Sequence, residues 1–416
     1  MNARTDTDRQ VASWLESQRP VVAPAGVLEG VRDAVSGTRR RPGLLVVDRW
    51  TWRHGAALRT TLRIALVAAV IASLVAIVVV GASLLGPRRP APPFGVTRAG
   101  LIAVDTKDGI VVTNADGSNR TVLVKDDGVD VSPTWSRDGL HLAFWHRAGR
   151  TGAWTLVVVD ADGSNRATLA DSIHLVASEQ SFAQPSNLSW SPDSGQVAYA
   201  ADVDEGSSLF VATLGRTGAT QLTDPALKAL YPAWSPTGDV IAFQSDASQT
   251  LHVVGANGSG EHRLSSLRGT TLWPDWAPDG SRIATAASNG GSTDIWVVSA
   301  DGATLQDISN DPTVELSPSW SPDGRHIAWG RQPADQRIRA WVVIADLDVA
   351  RLTELRTEAD LAPPVWSPDG TRLYSYHMAS NGQFDAVLVL DPTGVAPVVR
   401  LPTPGSIGNS NWQRLP

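Results

Sequence analysis

From residue 97 onward the chain alternates apolar and polar positions in short runs bounded by Gly, Pro, Asp or Asn; Ile295-Trp296-Val297-Val298 and Trp341-Val342-Val343-Ile344 are examples. A period of two in β-branched and aromatic residues, broken by turn formers, predicts strands joined by hairpins. The first 96 residues follow another pattern. Val11, Trp14 and Leu15 fall on one face of a helix over Asp8–Gln18, and Val27, Leu28, Val31 and Val35 do so over Gly26–Ser36. Ile64–Leu85 then runs 22 residues without a charge. As a helix it would span about 33 Å, enough for a hydrocarbon core. These patterns predict a segment with short helices over 1–62, a transmembrane helix over 63–86, a Pro-rich linker over 87–96 and an all-β domain over 97–416.

The β domain repeats itself. Pro318-Ser319-Trp320-Ser321-Pro322-Asp323-Gly324 recurs with its strands around Trp135, Trp190, Trp234, Trp276 and Trp366, and Trp412 follows close to the end. The intervals are 55, 44, 42, 44, 46 and 46 residues. Each unit reads as a first strand ending in Trp, a Ser-Pro-Asp-Gly turn, two more strands and a second stereotyped turn such as Asp160-Ala161-Asp162-Gly163 before a short fourth strand. Pro presets φ in the first turn, Asp bonds back to the backbone, and Gly takes the left-handed place. A period near 44 residues with four short strands predicts a β-propeller. Residues 100–124 supply three later strands without a Trp strand, and Trp412 supplies a first strand with nothing after it. The C-terminal strand is therefore expected to complete the first blade, giving seven blades, with six as the alternative.

These repeats resemble the TolB-type, WD-like β-propeller family with its Trp-Ser-Pro-Asp-Gly signature, over roughly residues 97–416. Arg137 stands in the Pro place, Ser194 in that of Gly, Thr237 in that of Asp and Ala277 in that of Ser. The resemblance implies six blades, so the count of seven comes from the residues. It also implies an α/β domain ahead of the propeller, which this chain lacks, so the family's envelope partners do not carry over directly.

Charge sharpens the division. Residues 1–63 hold 11 Arg and 6 acids, leaving −12 of the net −7 on the rest. A basic head with Arg39–Arg41 ahead of an apolar span predicts an N-terminus in the cytoplasm and a propeller outside it, on a single-pass cell-membrane protein. Ala68, Ala72 and Ala76 form a small-residue stripe suited to a homodimer through the span. No basic face accompanies the aromatics of the body, which argues against nucleic acid.

There is no Cys, which excludes disulfides and thiolate chemistry. Gly-x-Ser-x-Gly, His-Glu-x-x-His and a phosphate loop are absent, so no catalytic residue, cofactor or metal is expected, and the chain reads as no enzyme. Asp160–Asn165 opens like a calcium loop but has Asn165 at the place of Gly and Asp171 at the place of Glu, which makes it a hairpin turn.

The remaining loops carry the variation. Lys125–Ser132, Ala170–Asn187, Thr223–Tyr231, Ser265–Trp273, Asn310–Leu316 and Glu354–Ala362 share one face by topology. They bear acids, including Asp126, Asp130, Asp224 and Glu315, with Tyr231 and Trp273 at matching places. These six are the candidate partner-binding residues, for a protein or an envelope glycan. The seven Trp anchors, with Asp323 and Gly324, are read as structural. A transmembrane signalling protein, with residues 1–60 acting like an anti-sigma segment, is the alternative function.

Overall fold

The spacing of the tryptophans becomes the register of the sheets. Trp135 pairs with Leu142, Trp190 with Val197, Trp234 with Ile241, Trp276 with Ile283, Trp320 with Ile327 and Trp366 with Leu373, each across its turn. The computed structural model describes residues 97–415 except 150–151, 176–187, 268–270, 289–291, 334–339, 357–359, 362–363, 379–383, 396–397 and 403–409.

Among the described residues the strands group into seven blades. Blade one contains β1 (Arg98–Thr106), β2 (Gly109–Thr113) and β3 (Thr121–Val124); blade two β4 (Val129–Trp135), β5 (His141–Arg147), β6 (Trp154–Asp160) and β7 (Ala167–Ile173). Blade three has β8 (Ser189–Trp190), β9 (Gln196–Val203), β10 (Gly206–Thr213) and β11 (Ala219–Gln221). Blade four follows with β12 (Ala229–Trp234), β13 (Val240–Ser245), β14 (Thr250–Gly255) and β15 (His262–Arg263). Blade five comprises β16 (Thr271–Trp276), β17 (Arg282–Ser288), β18 (Thr293–Ser299) and β19 (Leu305–Asp307). Blade six is β20 (Val314–Trp320), β21 (His326–Gln332), β22 (Trp341–Asp346) and β23 (Arg351–Leu355), bridged to blade five by the single pair Thr293 and Val314. In blade seven the first strand is split into β24 (Asp360–Leu361) and β25 (Val365–Trp366), ahead of β26 (Leu373–Met378), β27 (Phe384–Leu390) and β28 (Val399–Pro402). The last strand, β29 (Ser410–Leu415), returns to pair with β1, setting Trp412 against Ile102.

The core lies between blades. Seven apolar clusters are found among the described residues, each shared by two neighbouring sheets. One joins Trp145 and Leu156 to Trp190 and Tyr199; another joins Tyr374 and Val387 of blade seven to Ile102 and Trp412 of blade one. Sheets that bury both faces in this way need apolar residues at nearly every position, as Leu142–Trp145 shows.

The tryptophans also tie the ring together by hydrogen bonds. Trp190, Trp276 and Trp366 donate Nε1–H to carbonyls of Thr134, Ala233 and Ser319 in the preceding blade, at 2.9, 3.0 and 3.1 Å. At three of the other four junctions the Trp135, Trp234 and Trp320 backbone N–H groups donate to the side chains of Asn411, Ser189 and Asp275. Successive first strands are thus neighbours and line the centre. At those first three junctions the buried indole finds an acceptor and contributes both area and direction; Nε1 of Trp135, Trp320 and Trp412 meets no acceptor among the described residues, and there the ring acts through buried area.

The turns behave as their residues require. Ser321 Oγ donates to Asp323 Oδ1 at 2.5 Å and accepts from the His326 N–H, while Asp323 Oδ1 accepts from the Arg325 N–H. Gly324 has φ +69°, a conformation costly for a residue with a Cβ. Ser194 takes the same left-handed place at φ +60°. Where Thr237 replaces Asp, its hydroxyl bonds to Asp239 instead.

The helical part of the expected architecture is corrected. Among the described residues the one helical element is a 3-10 turn at Pro225–Leu227, and no helix is long and apolar enough to cross a membrane. The described protein is all-β, and it gives no support to a single-pass assignment. An uncharged run reports a preference for leaving water and does not by itself establish a helix. Ile64–Leu85, the two short N-terminal helices and the Pro-rich linker lie outside the described residues.

Candidate functional site

Connections from the fourth strand of one blade to the first strand of the next share an end of the propeller with the second-to-third connections. The repeated turns occupy the opposite end. At the variable end four of the first strands carry a bulge. The ladder slips by one between Val131 and Thr134, Leu230 and Ala233, Leu272 and Asp275, and Leu316 and Ser319. The bulged residues Ser132, Tyr231, Trp273 and Ser317 have φ of +56°, +51°, +52° and +50°, and each precedes a proline. Proline supplies no N–H, so the slip sacrifices no ladder bond at that place.

Two of these four residues are aromatic, and they meet. The rings of Tyr231 and Trp273 lie 5.7 Å apart at a tilt of 54°, half-buried against the apolar cluster between blades five and six. A left-handed backbone is a costly place for a bulky side chain, roughly 1–3 kcal/mol per residue.

The acids on this end divide by partner. Asp130 on β4 is buried and stands opposite His146 on β5, with Oδ1 2.8 Å from Nδ1. Burial pushes its carboxyl above the ordinary value, opposed by the bond to His146. Glu315 on β20 occupies the equivalent place opposite Arg331 on β21. It is wholly buried, accepting from Arg331 Nε at 2.6 Å and from Thr313 Oγ1 at 3.1 Å. Burial raises it to about 7 against the lowering effect of Arg331. Arg331 also reaches Asp311 at 3.5 Å and Glu354 at 3.1 Å.

Of the six expected residues, the structure brings Tyr231 to Trp273 and Asp126 to Asp130. Asp126 pairs with Arg166 at 2.5 Å and lies 3.6 Å from His146. Glu315 is a buried strut, and Asp224 caps the 3-10 turn by accepting the Ala226 N–H at 2.8 Å. The four acids are therefore already engaged within the domain, and the two aromatics pack on each other and on the neighbouring core. The rim loops are also shorter than their sequence bounds: β7 continues to Ile173, and Val129–Ser132 and Ala229–Tyr231 already belong to first strands. Residues 176–187, with Glu179, lie outside the described residues. His146 and Arg331 were missed. Their signal was the Pro after each bulge, which shifts the ladder to set them opposite the acids.

A closed ring of four-stranded blades built on Trp-x-x-Asp-Gly turns defines a β-propeller. The TolB beta propeller domain matches this chain over residues 97–266 and 146–413, and the chain belongs to that family. TolB from Acinetobacter baumannii aligns with a TM-score of 0.51 at 18% identity, over 75% of this chain and 82% of that one. An oligogalacturonate lyase in complex with manganese gives 0.53 at 13%, over 68% and 82%. A puromycin-hydrolyzing peptidase of Mycobacterium tuberculosis gives 0.55 at 15%, over 75% and 55%. No curated protein sequence matches the chain. At these identities the likeness is one of fold. It nevertheless corrects the expectation that the chain is no enzyme: propellers of this shape occur in a lyase and a peptidase, and missing motifs do not exclude catalysis on them.

Proposed function

We propose that the propeller is a binding module of the cell envelope, working outside the cytoplasm and taking a protein or glycan partner at the variable end. The observation that carries this reading is the Tyr231–Trp273 pair. Blades two and six hold Ser132 and Ser317 in the same bulge with the same backbone, so the bulge itself does not call for an aromatic. Two large rings kept half-exposed in a strained backbone serve something other than the fold. Paired aromatics present rigid, amphipathic area at little cost in side-chain entropy, suited to stacking on a sugar or anchoring a peptide. TolB membership is compatible with such a role.

The equivalent blades also supply the substitution. Tyr231→Ser with Trp273→Ser places in blades four and five what blades two and six already carry. The doubly substituted full chain should keep a cooperative melt. It should lose capture of the envelope proteins retained by the unsubstituted chain, or co-sedimentation with purified peptidoglycan, and the two assays separate protein from glycan. Equal retention by both chains in both assays would refute the reading.

A further inference from the structure

We propose that Asp126, Asp130 and His146 form a binding site for a divalent first-row transition ion, zinc by preference, at the variable end of blade two. The inference rests on a different blade from the aromatic pair and goes beyond the binding reading. One ligand atom from each of the three residues lies within 4.8 Å of the others. The strand ladder fixes two of them, since Asp130 on β4 faces His146 on β5. The third comes from the loop before β4, which folds back so that Asp126 Oδ2 stands 3.6 Å from the same Nδ1 that bonds Asp130.

The loop is shaped around the imidazole. A Cβ on Gly128, between the two acids, would fall 3.0 Å from His146 Cε1 and 2.5 Å from the carbonyl oxygen of Arg147. Only glycine lets Asp126-Asp127-Gly128-Val129-Asp130 pass this close to the ring. Arg166 holds Asp126 from outside through Nη1, and its guanidinium lies 5.4 Å from the ring of Phe144. That bond is made to Oδ2, the oxygen that also faces His146, so an ion either shares this oxygen with the guanidinium or takes Oδ1 after a turn of the carboxylate.

The donor set chooses the ion. Two carboxylates and one imidazole satisfy zinc at about 2.0–2.2 Å, with a fourth position left for water or a partner's group. Calcium and magnesium prefer oxygen donors alone. Asp130 is buried, so a cation at this place replaces hydration that the fold has removed. A ligating imidazole nitrogen must be free of its proton, so zinc binding here should weaken as the pH is lowered. The same ladder position in blade six pairs Glu315 with Arg331. A guanidinium cannot ligate a metal, so the site is confined to blade two in this comparison.

The test uses the full chain, stripped of metal and titrated with zinc against a chromophoric chelator, with cobalt(II) absorption as an independent reading of the coordination. One zinc per chain is expected. Asp126→Asn and His146→Ala should each lower the affinity by more than the roughly 10–100-fold that losing an outer-shell partner costs. Asp126 lies on the exposed loop, so Asp126→Asn should bind less zinc at an unchanged melting temperature. Absence of stoichiometric zinc, an affinity in either variant equal to that of the unsubstituted chain, or a preference for calcium or magnesium would overturn the assignment.

Discussion

The two ends of the propeller treat their acids in opposite ways. At the repeated-turn end, Asp116, Asp162, Asp193 and Asp301 are held below the ordinary carboxylate value by serine hydroxyls and by backbone N–H groups. At the variable end, burial pushes Asp130 upward and Glu315 to about 7. The first set favours the folded state when ionised, because each turn offers donors aimed at a carboxylate. The second set sits where water has been removed and one cation or imidazole must answer for it. One end is therefore a scaffold that any solvent condition above strong acid leaves intact. The other holds its charges at a cost.

The comparison can be broken most sharply at Arg331. Arg331→Met would leave Glu315 buried without its cation, and a loss of about 3–5 kcal/mol is expected in chemical denaturation at mildly alkaline pH. A loss below about 1 kcal/mol would mean that the pair behaves like an exposed one. A smaller effect is expected at the other end from Gly139→Ala. Gly139 has φ +72°, and its Cβ would stand 1.8 Å from the carbonyl oxygen of Arg414. About 2–3 kcal/mol should be lost there, against about 1 kcal/mol for Gly215→Ala, which shares the backbone strain but has nothing within 4 Å. Equal losses would assign the cost to backbone strain alone.

A further effect is one of slope. Glu315 moves from an ordinary 4.5 to about 7. A group raised on folding contributes stability that is complete below the lower value and is lost as pH rises through the higher one. The turn aspartates are lowered from 3.8, so their contribution is present above that value and fades only in stronger acid. Glu315→Gln should therefore flatten the decline of stability between pH 4.5 and 7 while leaving the acid limb unchanged. An unaltered slope would show that another group carries it.

Much of the blade structure was legible because each Trp does several things at once. It fills the space between sheets and, from Trp135 to Trp366, bonds the neighbouring blade through its indole or its backbone N–H and precedes a turn whose residues allow few other conformations. The site was less legible for a reason of register. Counting back from Trp135 and Leu142 without a slip sets Asp130 opposite Arg147, and the bulge at Ser132 moves it to His146. The same slip at Ser317 moves Glu315 from Gln332 to Arg331. Alternation of side chains makes one residue of slip decisive. An acid read as a candidate partner-binding residue thus became a buried strut. Tyr231 and Trp273 were recognisable as a matched pair, but their left-handed backbone was not, since proline marks the place without stating the angle.

The pairing of β29 with β1 also sets an order of events during synthesis. Leu101 donates its N–H to Gln413 Oε1 across 312 residues of chain, and translation delivers the second partner last. The edge of β1 must therefore wait, unpaired, while six other blades are made. Open edges invite pairing with other chains. Nascent propellers are exposed to that hazard until β29 has emerged and paired with β1.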